Sequence, residues 1–307
     1  MTVEATIHSG PYDGGNYEHH WTGAYLEAHL ISDVGKRRPA NEDMCAAAIP
    51  GPGSESLGML FVVADGMGGA RGGAYASRLA VGSICSSFFN AFHGNPNGSG
   101  APERLRGALV DANSRILSEG RQNPGLKGMG TTASAAAVLG DQAYVAQVGD
   151  SRVYAAWSNG ELQQVTEDHS YVADQVRQGM MDEEEARTHA MRNLITRALG
   201  AREGVEVDLY AVQLAQGDAL LLCSDGLSNM VKDGEIEAAL AGESSPERAA
   251  RSLVRQALER GAPDNVTAVV LQVTAAPPES SASARNAVEV IPKKKTLLGK
   301  LKRILSP

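Results

Sequence analysis

The chain has 307 residues, 43% of them hydrophobic and 21% charged, with a net charge of −8. That length and apolar content allow one large domain or two ordinary ones, and the acidic balance disfavours a nucleic-acid partner. Three widely spaced cysteines without a C-x-x-C pair suggest neither a disulfide framework nor a zinc site. No secretory signal opens the chain and no run approaches the ~20 apolar residues that span a bilayer, so a cytoplasmic protein is expected.

Residues 1–24 are polar and rich in Gly, His and Tyr, and read as an extension or an early edge element. The apolar run 57–64 predicts a buried strand stopped by Asp65-Gly66, and helices are expected over about 74–92 and, after Pro102, about 103–119. Residues 131–166 predict a meander of antiparallel strands turning at Gly140-Asp141, Gly149-Asp150 and Asn159-Gly160. A polar, partly helical excursion over 167–200 follows, then strands at 205–214 and 219–224, helices at about 233–240 and 246–260, and a last strand at 266–273. Helix pair, meander, strands, helix pair is an α+β order, not an alternating βαβ one. Residues 275–287 (AAPPESSASARNA) have linker composition.

Four aspartates stand where apolar runs meet turns: Asp65, Asp150, Asp225 and Asp264. Ionised groups at core edges repel one another and resist desolvation, and hard divalent cations with oxygen ligands remove that cost. Singly, each Asp-Gly or Asp-Asn pair is as well explained by a capped turn. Upstream, Arg38 precedes the acids Glu42 and Asp43, a grouping that a solvated charge cluster would also produce. His19-His20 beside Trp21 has no third ligand at suitable spacing and reads as structural.

The ordered series is more specific. It runs Ser32-Asp33-Val34-Gly35, Asn41-Glu42-Asp43, Asp65-Gly66-Met67-Gly68-Gly69, Gly130-Thr131-Thr132, Gly149-Asp150-Ser151-Arg152, Asp168-His169, Ser224-Asp225-Gly226 and Asp264-Asn265-Val266-Thr267. Over residues 25–274 it resembles the metal-dependent Ser/Thr protein phosphatases of type 2C in their compact bacterial form. The resemblance implies a four-layer αββα sandwich of two antiparallel sheets flanked by helix pairs. It implies two Mn2+ or Mg2+ ions, with a third, weaker one at Asp150 and Asp225. Asp65 would bridge the pair, the Gly66 carbonyl would bind the second ion, and Asp225 and Asp264 would hold the first. Glu42 and Asp43 would act through waters or as outer supports, and Arg38 would grip the substrate phosphate. A hydroxide shared by the ions would attack phosphorus in line.

The chain departs from animal members at Met67, where they often carry a His proposed as general acid; a thioether donates no proton. Residues 170–192 match the family's flap beside the cleft, and the acidic run Asp182–Glu185 suits the first turn of a short helix. His169 reads as structural. The implied partners are phosphorylated proteins and a cognate Ser/Thr kinase. The alternatives are a silent phosphoprotein-binding relative, which the complete set of acids argues against, and a phosphatase of small phosphate esters. Residues 288–307 form a basic amphipathic tail with Lys293, Lys294, Lys295, Lys300, Lys302 and Arg303 against Glu289, a net +5, leaving −13 on the rest of the chain. Weak protein docking or contact with an anionic surface is the reading for that tail.

Overall fold

The computed structural model describes residues 4–68, 72–90, 100–243, 245–278 and 287–292. Strands β1 (Ala5–Gly10), β2 (Tyr17–Thr22), β3 (Leu26–Asp33), β4 (Met44–Pro50) and β5 (Met59–Ala64) come first. A two-residue strand β6 (Gly66–Met67) leads to helices α1 (Gly72–Asn90) and α2 (Ala101–Gln122). The meander follows as β7 (Gly130–Thr131), β8 (Ala133–Leu139), β9 (Gln142–Val148), β10 (Arg152–Ala156) and β11 (Leu162–Gln164). The polar excursion, the flap, carries α3 (Tyr171–Arg177) and α4 (Glu183–Thr188). Then come β12 (Asp208–Gln213), β13 (Ala219–Cys223), the single-turn α5 (Asp225–Ser228), α6 (Asp233–Gly242), α7 (Pro246–Glu259), β14 (Val266–Val273) and β15 (Val288–Val290).

Two antiparallel sheets result. One has the order β1-β4-β5-β8-β9-β12-β15, the other β11-β10-β13-β14-β3-β2, with β6-β7 as a small separate pair. Strand β5 shows why its sequence is apolar without interruption: both faces are covered, and successive side chains point to opposite sides. Leu60, Val62 and Ala64 pack beneath α1 and α2 with Ile84, Phe88, Leu105 and Leu109. Phe61 and Val63 fill the space between the sheets with Leu30, Val145 and Leu222. Strand β14 repeats this, with Val269 and Leu271 facing the other sheet and Val270 facing Ile236, Leu253 and Val254 of α6 and α7. Each fully buried Leu, Val or Phe contributes roughly 1.5–3 kcal/mol, so three apolar layers between four structural ones carry the fold.

The chain ends depart from the sequence expectation. Of residues 1–24, read as an extension or an early edge element before a domain beginning at 25, those described carry edge strands that belong to the sheets: β1 pairs with β4 at the edge of one sheet and β2 with β3 at the edge of the other. The physical reason is alternation on β2: Tyr17 and Trp21 pack against the core between the sheets, while Glu18, His20 and Thr22 face outward. His19 stacks on His8 with ring centroids 4.0 Å apart, a packing role. Likewise the first residues of the expected tail, Val288–Val290, form β15 against β12. The expected linker is described only at 275–278 and 287; residues 279–286 and the basic run 293–307 lie outside the described residues, as do Gly69 and the end of the first expected helix at 91–92.

Candidate metal centre

The strand registers bring the acids to one end of the sandwich. Met44 pairs with Ala64, so Asp43 and Asp65 emerge side by side. Ala133 pairs with Val148, placing Thr132 beside Gly149 and Asp150. In the second sheet Cys223 pairs with both Arg152 and Ala268, so Ser151, Ser224-Asp225 and Asp264-Asn265 leave at the same end.

Hydrogen bonds lock these turns to one another. The Asp65 amide donates to Thr132 Oγ1 at 2.9 Å, and the Asp65 carbonyl accepts from Thr132 N at 2.9 Å and Thr131 Oγ1 at 2.8 Å. Thr132 Oγ1 lies 2.6 Å from Ser151 Oγ, tying the Asp65 turn to the turn of Asp150. Asp43 Oδ2 accepts from Ser224 Oγ and Thr267 Oγ1, both at 2.7 Å, which links the two sheets. Asn265 accepts from Glu42 N at 2.9 Å and donates to the carbonyls of Val34 and Ala40, holding the Arg38–Asp43 loop against the Asp264 turn.

Close backbone approach explains the glycines. A Cβ on Gly66 would stand 2.2 Å from the Gly73 carbonyl oxygen, and one on Gly226 would stand 1.9 Å from the Asn265 oxygen. Gly149 has φ +109°, a region that favours glycine, and its missing side chain leaves room for Thr132.

The electrostatics are those of carboxylates crowded out of water. Burial, reinforced by Asp225 and Asp264, pushes Asp43 up to about 7 despite its two hydroxyl donors. Burial and Asp264 push Asp225 up to about 6, although it shares a hydrogen bond with Asp65. Asp65 and Asp150 are held well above the ordinary carboxylate range, first by burial and then by their acidic neighbours. Burial also raises Glu42, against the opposing pull of Arg38. Arg38 donates through Nη2 to Asp264 Oδ2 at 2.6 Å, while its side chain remains 47% exposed to the cleft.

This donor set fits hard divalent cations. All its side-chain ligands are carboxylate oxygens, and buried Asp150 Oδ1 and Glu42 Oε1 have no hydrogen-bond partner. Among the described residues no three acids, His or Cys converge closely enough to enclose an ion unaided. A paired-ion site spreads its donors around two centres and draws further oxygens from a carbonyl and from water, so the two findings are compatible.

The structure therefore brings Asp43, Asp65, Asp150, Asp225, Asp264, Glu42, Gly66 and Arg38 together at one end of the sandwich. It also reveals supports that the sequence did not distinguish. Gly149 N donates to His169 Nδ1 at 3.0 Å and His169 N donates back to the Gly149 carbonyl at 3.0 Å. His169 Nε2 lies 2.8 Å from Asp208 Oδ2 and 2.9 Å from Arg197 Nη1; with Nδ1 accepting from Gly149, the ring proton is assigned to Nε2 facing Asp208, and Arg197 donates to the same carboxylate. His169 is thus a clamp on the Asp150 turn. The flap stem closes where Thr196 N meets the His169 carbonyl, and Leu199 pairs with Thr131 beside the Asp65 turn. Both ends of the flap are hydrogen-bonded to turns that carry acids of the site.

Known proteins resemble this chain in sequence and fold. The serine/threonine phosphatase stp of Listeria welshimeri is 35% identical over 247 residues, covering 80% of this chain and 96% of that protein. The crystal structure of the Mycobacterium tuberculosis serine/threonine phosphatase PstP/Ppp matches with TM-score 0.70 and 35% identity, covering 82% of this chain and all of that one. The catalytic domain of PstP in complex with two manganese ions matches with TM-score 0.69 and 36% identity, covering 81% of this chain and 99% of that one. The family model described as Protein phosphatase 2C matches residues 36–269, and the chain belongs to that family.

Proposed function

We propose that this chain is a metal-dependent protein phosphatase that hydrolyses phosphoserine and phosphothreonine esters in proteins. The observation that carries the reading is the convergence of five aspartates and Arg38 at one end of the sandwich, with two buried carboxylate oxygens left unpartnered. In this reading Asp65, the Gly66 carbonyl, Asp225 and Asp264 would hold a pair of cations, with Asp65 shared between them. Glu42 and Asp43 would support them, and Asp150 with Asp225 would hold a weaker third ion. Manganese is the ion named for the PstP relative; Mg2+ suits the same oxygen donors. When bound, the ions supply Lewis acidity towards the phosphoryl oxygens and lower the pKa of water.

The chain's own groups do the rest. Arg38 commits one nitrogen to Asp264 and keeps further N–H donors of its planar fork for phosphate oxygens, which a lysine could not reproduce. The Thr131, Thr132 and Asn265 hydrogen bonds pre-position the acids, so little reorganisation is needed when a phosphate enters. Met67 lies on β6 opposite Gly130 and donates no proton, so no side chain there acts as general acid. Phosphorylated proteins are the substrates, and we assign a Ser/Thr kinase as the opposing activity. No helix among the described residues is long and apolar enough to cross a membrane; a cytoplasmic location is our proposal. Strand β15 runs antiparallel to β12, with Ile291 N on the Leu209 carbonyl. Weak docking of the basic tail to an acidic protein or surface is proposed on its charge.

Phosphate release from a phosphothreonine peptide in Mn2+ and in EDTA tests the reading. Release in Mn2+ and none in EDTA is expected. Phosphopeptide binding without turnover in any divalent ion would replace it with the silent module.

A further inference from the structure

A cavity of about 800 Å3 runs from Asp150 and Asp225 to the flap helices. Most charges on its wall are already committed. Arg152 grips Asp168 through Nε and Nη2, at 3.0 and 2.7 Å. Arg177 donates to Asp174 and to the Asp168 carbonyl and stands 3.9 Å from Glu167. Asp233 accepts from the Tyr154 hydroxyl.

Arg187, on α4, and Arg192, just beyond it, also line this cavity, and both are exposed. Neither guanidinium has a hydrogen-bond or ion-pair partner among the described residues. Glu183 lies four positions before Arg187 at a spacing that favours a helical ion pair, yet the pair is not formed. The acidic start of α4 serves a capping box instead: Asp182 Oδ1 accepts from Glu185 N at 2.8 Å and Glu185 Oε2 accepts from Asp182 N at 3.1 Å. Of the four acids at the start of α4 only Glu183 lines the cavity, and it pairs with neither arginine, so both guanidinium groups keep their N–H donors for a ligand. A guanidinium fork aimed into a solvent cavity suits the two oxygens of a carboxylate or a phosphate.

We propose that Arg187 and Arg192 form an anion subsite that favours phosphosites flanked by a second negative charge, either an acidic side chain or another phosphate. The inference rests on the phosphatase reading above and adds a substrate preference to it. The seryl or threonyl phosphate occupies the acid-lined end of the cavity, and the neighbouring anion reaches the flap.

The test compares kcat/KM for four phosphothreonine peptides in Mn2+: one with uncharged neighbours, one with flanking Asp, one with a second phosphothreonine and one with flanking Lys. Exposed ion pairs are individually weak, so the wild-type protein is expected to favour the anionic peptides by about fivefold, mainly through KM. The Asp-flanked and doubly phosphorylated arms tell the two sources of anion apart. R187Q and R192Q each reduce the preference, R187E/R192E reverses it towards the Lys-flanked peptide, and raised salt shrinks it. The lysine variant R187K/R192K keeps part of it, because charge remains while the fork is lost. Equal kcat/KM for all four peptides in the wild type, or a preference that survives R187E/R192E, overturns the subsite. Failure of the wild type to hydrolyse even the uncharged peptide strikes the phosphatase reading itself, and the subsite with it.

Discussion

Replacing Thr132 by Val keeps the shape of a buried side chain and removes one oxygen. That oxygen accepts the Asp65 amide at 2.9 Å and sits 2.6 Å from Ser151 Oγ. Thr132 and Ser151 are fully buried, so water cannot take its place at the Ser151 hydroxyl. A buried donor left without its partner costs about 1–3 kcal/mol, and Val strands two groups, for roughly 2–6 kcal/mol in all. Thr132→Ser retains the oxygen and gives up one methyl, at about 1 kcal/mol. The smaller serine is therefore expected to be the milder change, opposite to the order that volume alone would give. Urea denaturation of both variants in EDTA measures the difference as a shift in midpoint at constant slope. Activity should follow the same order, because the Asp65 amide loses its anchor only in the Val variant. A Val variant as stable as the Ser variant, or more so, would refute the reasoning.

Three further outcomes are expected. Asp225→Asn should abolish most phosphopeptide turnover, by at least about a thousandfold or ~4 kcal/mol, whereas Asp150→Asn should recover within about tenfold at high Mn2+; equal losses would contradict the unequal roles. In metal-free protein, Asp43 has a folded pKa of about 7 against an ordinary 3.8, so between those values the folded state holds a proton that the unfolded state has lost. Its contribution to stability therefore falls as pH rises through that window, by roughly 4 kcal/mol; a melting temperature in EDTA that declines with pH, and declines less in Asp43→Asn, is the check, and identical slopes would contradict it. Gly226→Ala places a methyl 1.9 Å from the Asn265 oxygen and should cost about 1–3 kcal/mol or more, while Gly234→Ala on α6 meets nothing within 4 Å and should be neutral or stabilising in the same melt.

The central strands were legible because both of their faces are covered. Strands β5 and β13 are unbroken apolar runs, β14 is interrupted only at Thr267 and Gln272, and helix α7 announces itself with Ser245, Pro246 and a repeating apolar stripe. The edges were harder to read. Strand β2 alternates Tyr17, His19 and Trp21 with Glu18, His20 and Thr22, and its inward residues are too polar to signal a strand by hydrophobicity alone. Strand β15 is three residues long and follows a linker-like stretch, so only its partner β12 makes it a strand.

The acids of the site were legible as a set because each stands at a turn after or before an apolar run. Their supports were not. Ser224 reaches Asp43 across 181 positions and Thr267 reaches it across 224, contacts that exist only once both sheets have formed. His169 was read as structural, and its double bond to Gly149 gives that role its content. Arg187 and Arg192 drew no notice in the sequence, since an unpaired arginine is recognisable only when its possible partners have been located.

The most direct test of the account is the number of Mn2+ ions bound per chain, measured by titration calorimetry on the wild-type protein and on Asp65→Asn, with phosphopeptide hydrolysis followed on the same samples. At least two ions are expected on the wild type, with loss of both the paired occupancy and hydrolysis in Asp65→Asn. Unchanged stoichiometry in the variant, or phosphate release by the wild type in EDTA, would contradict it.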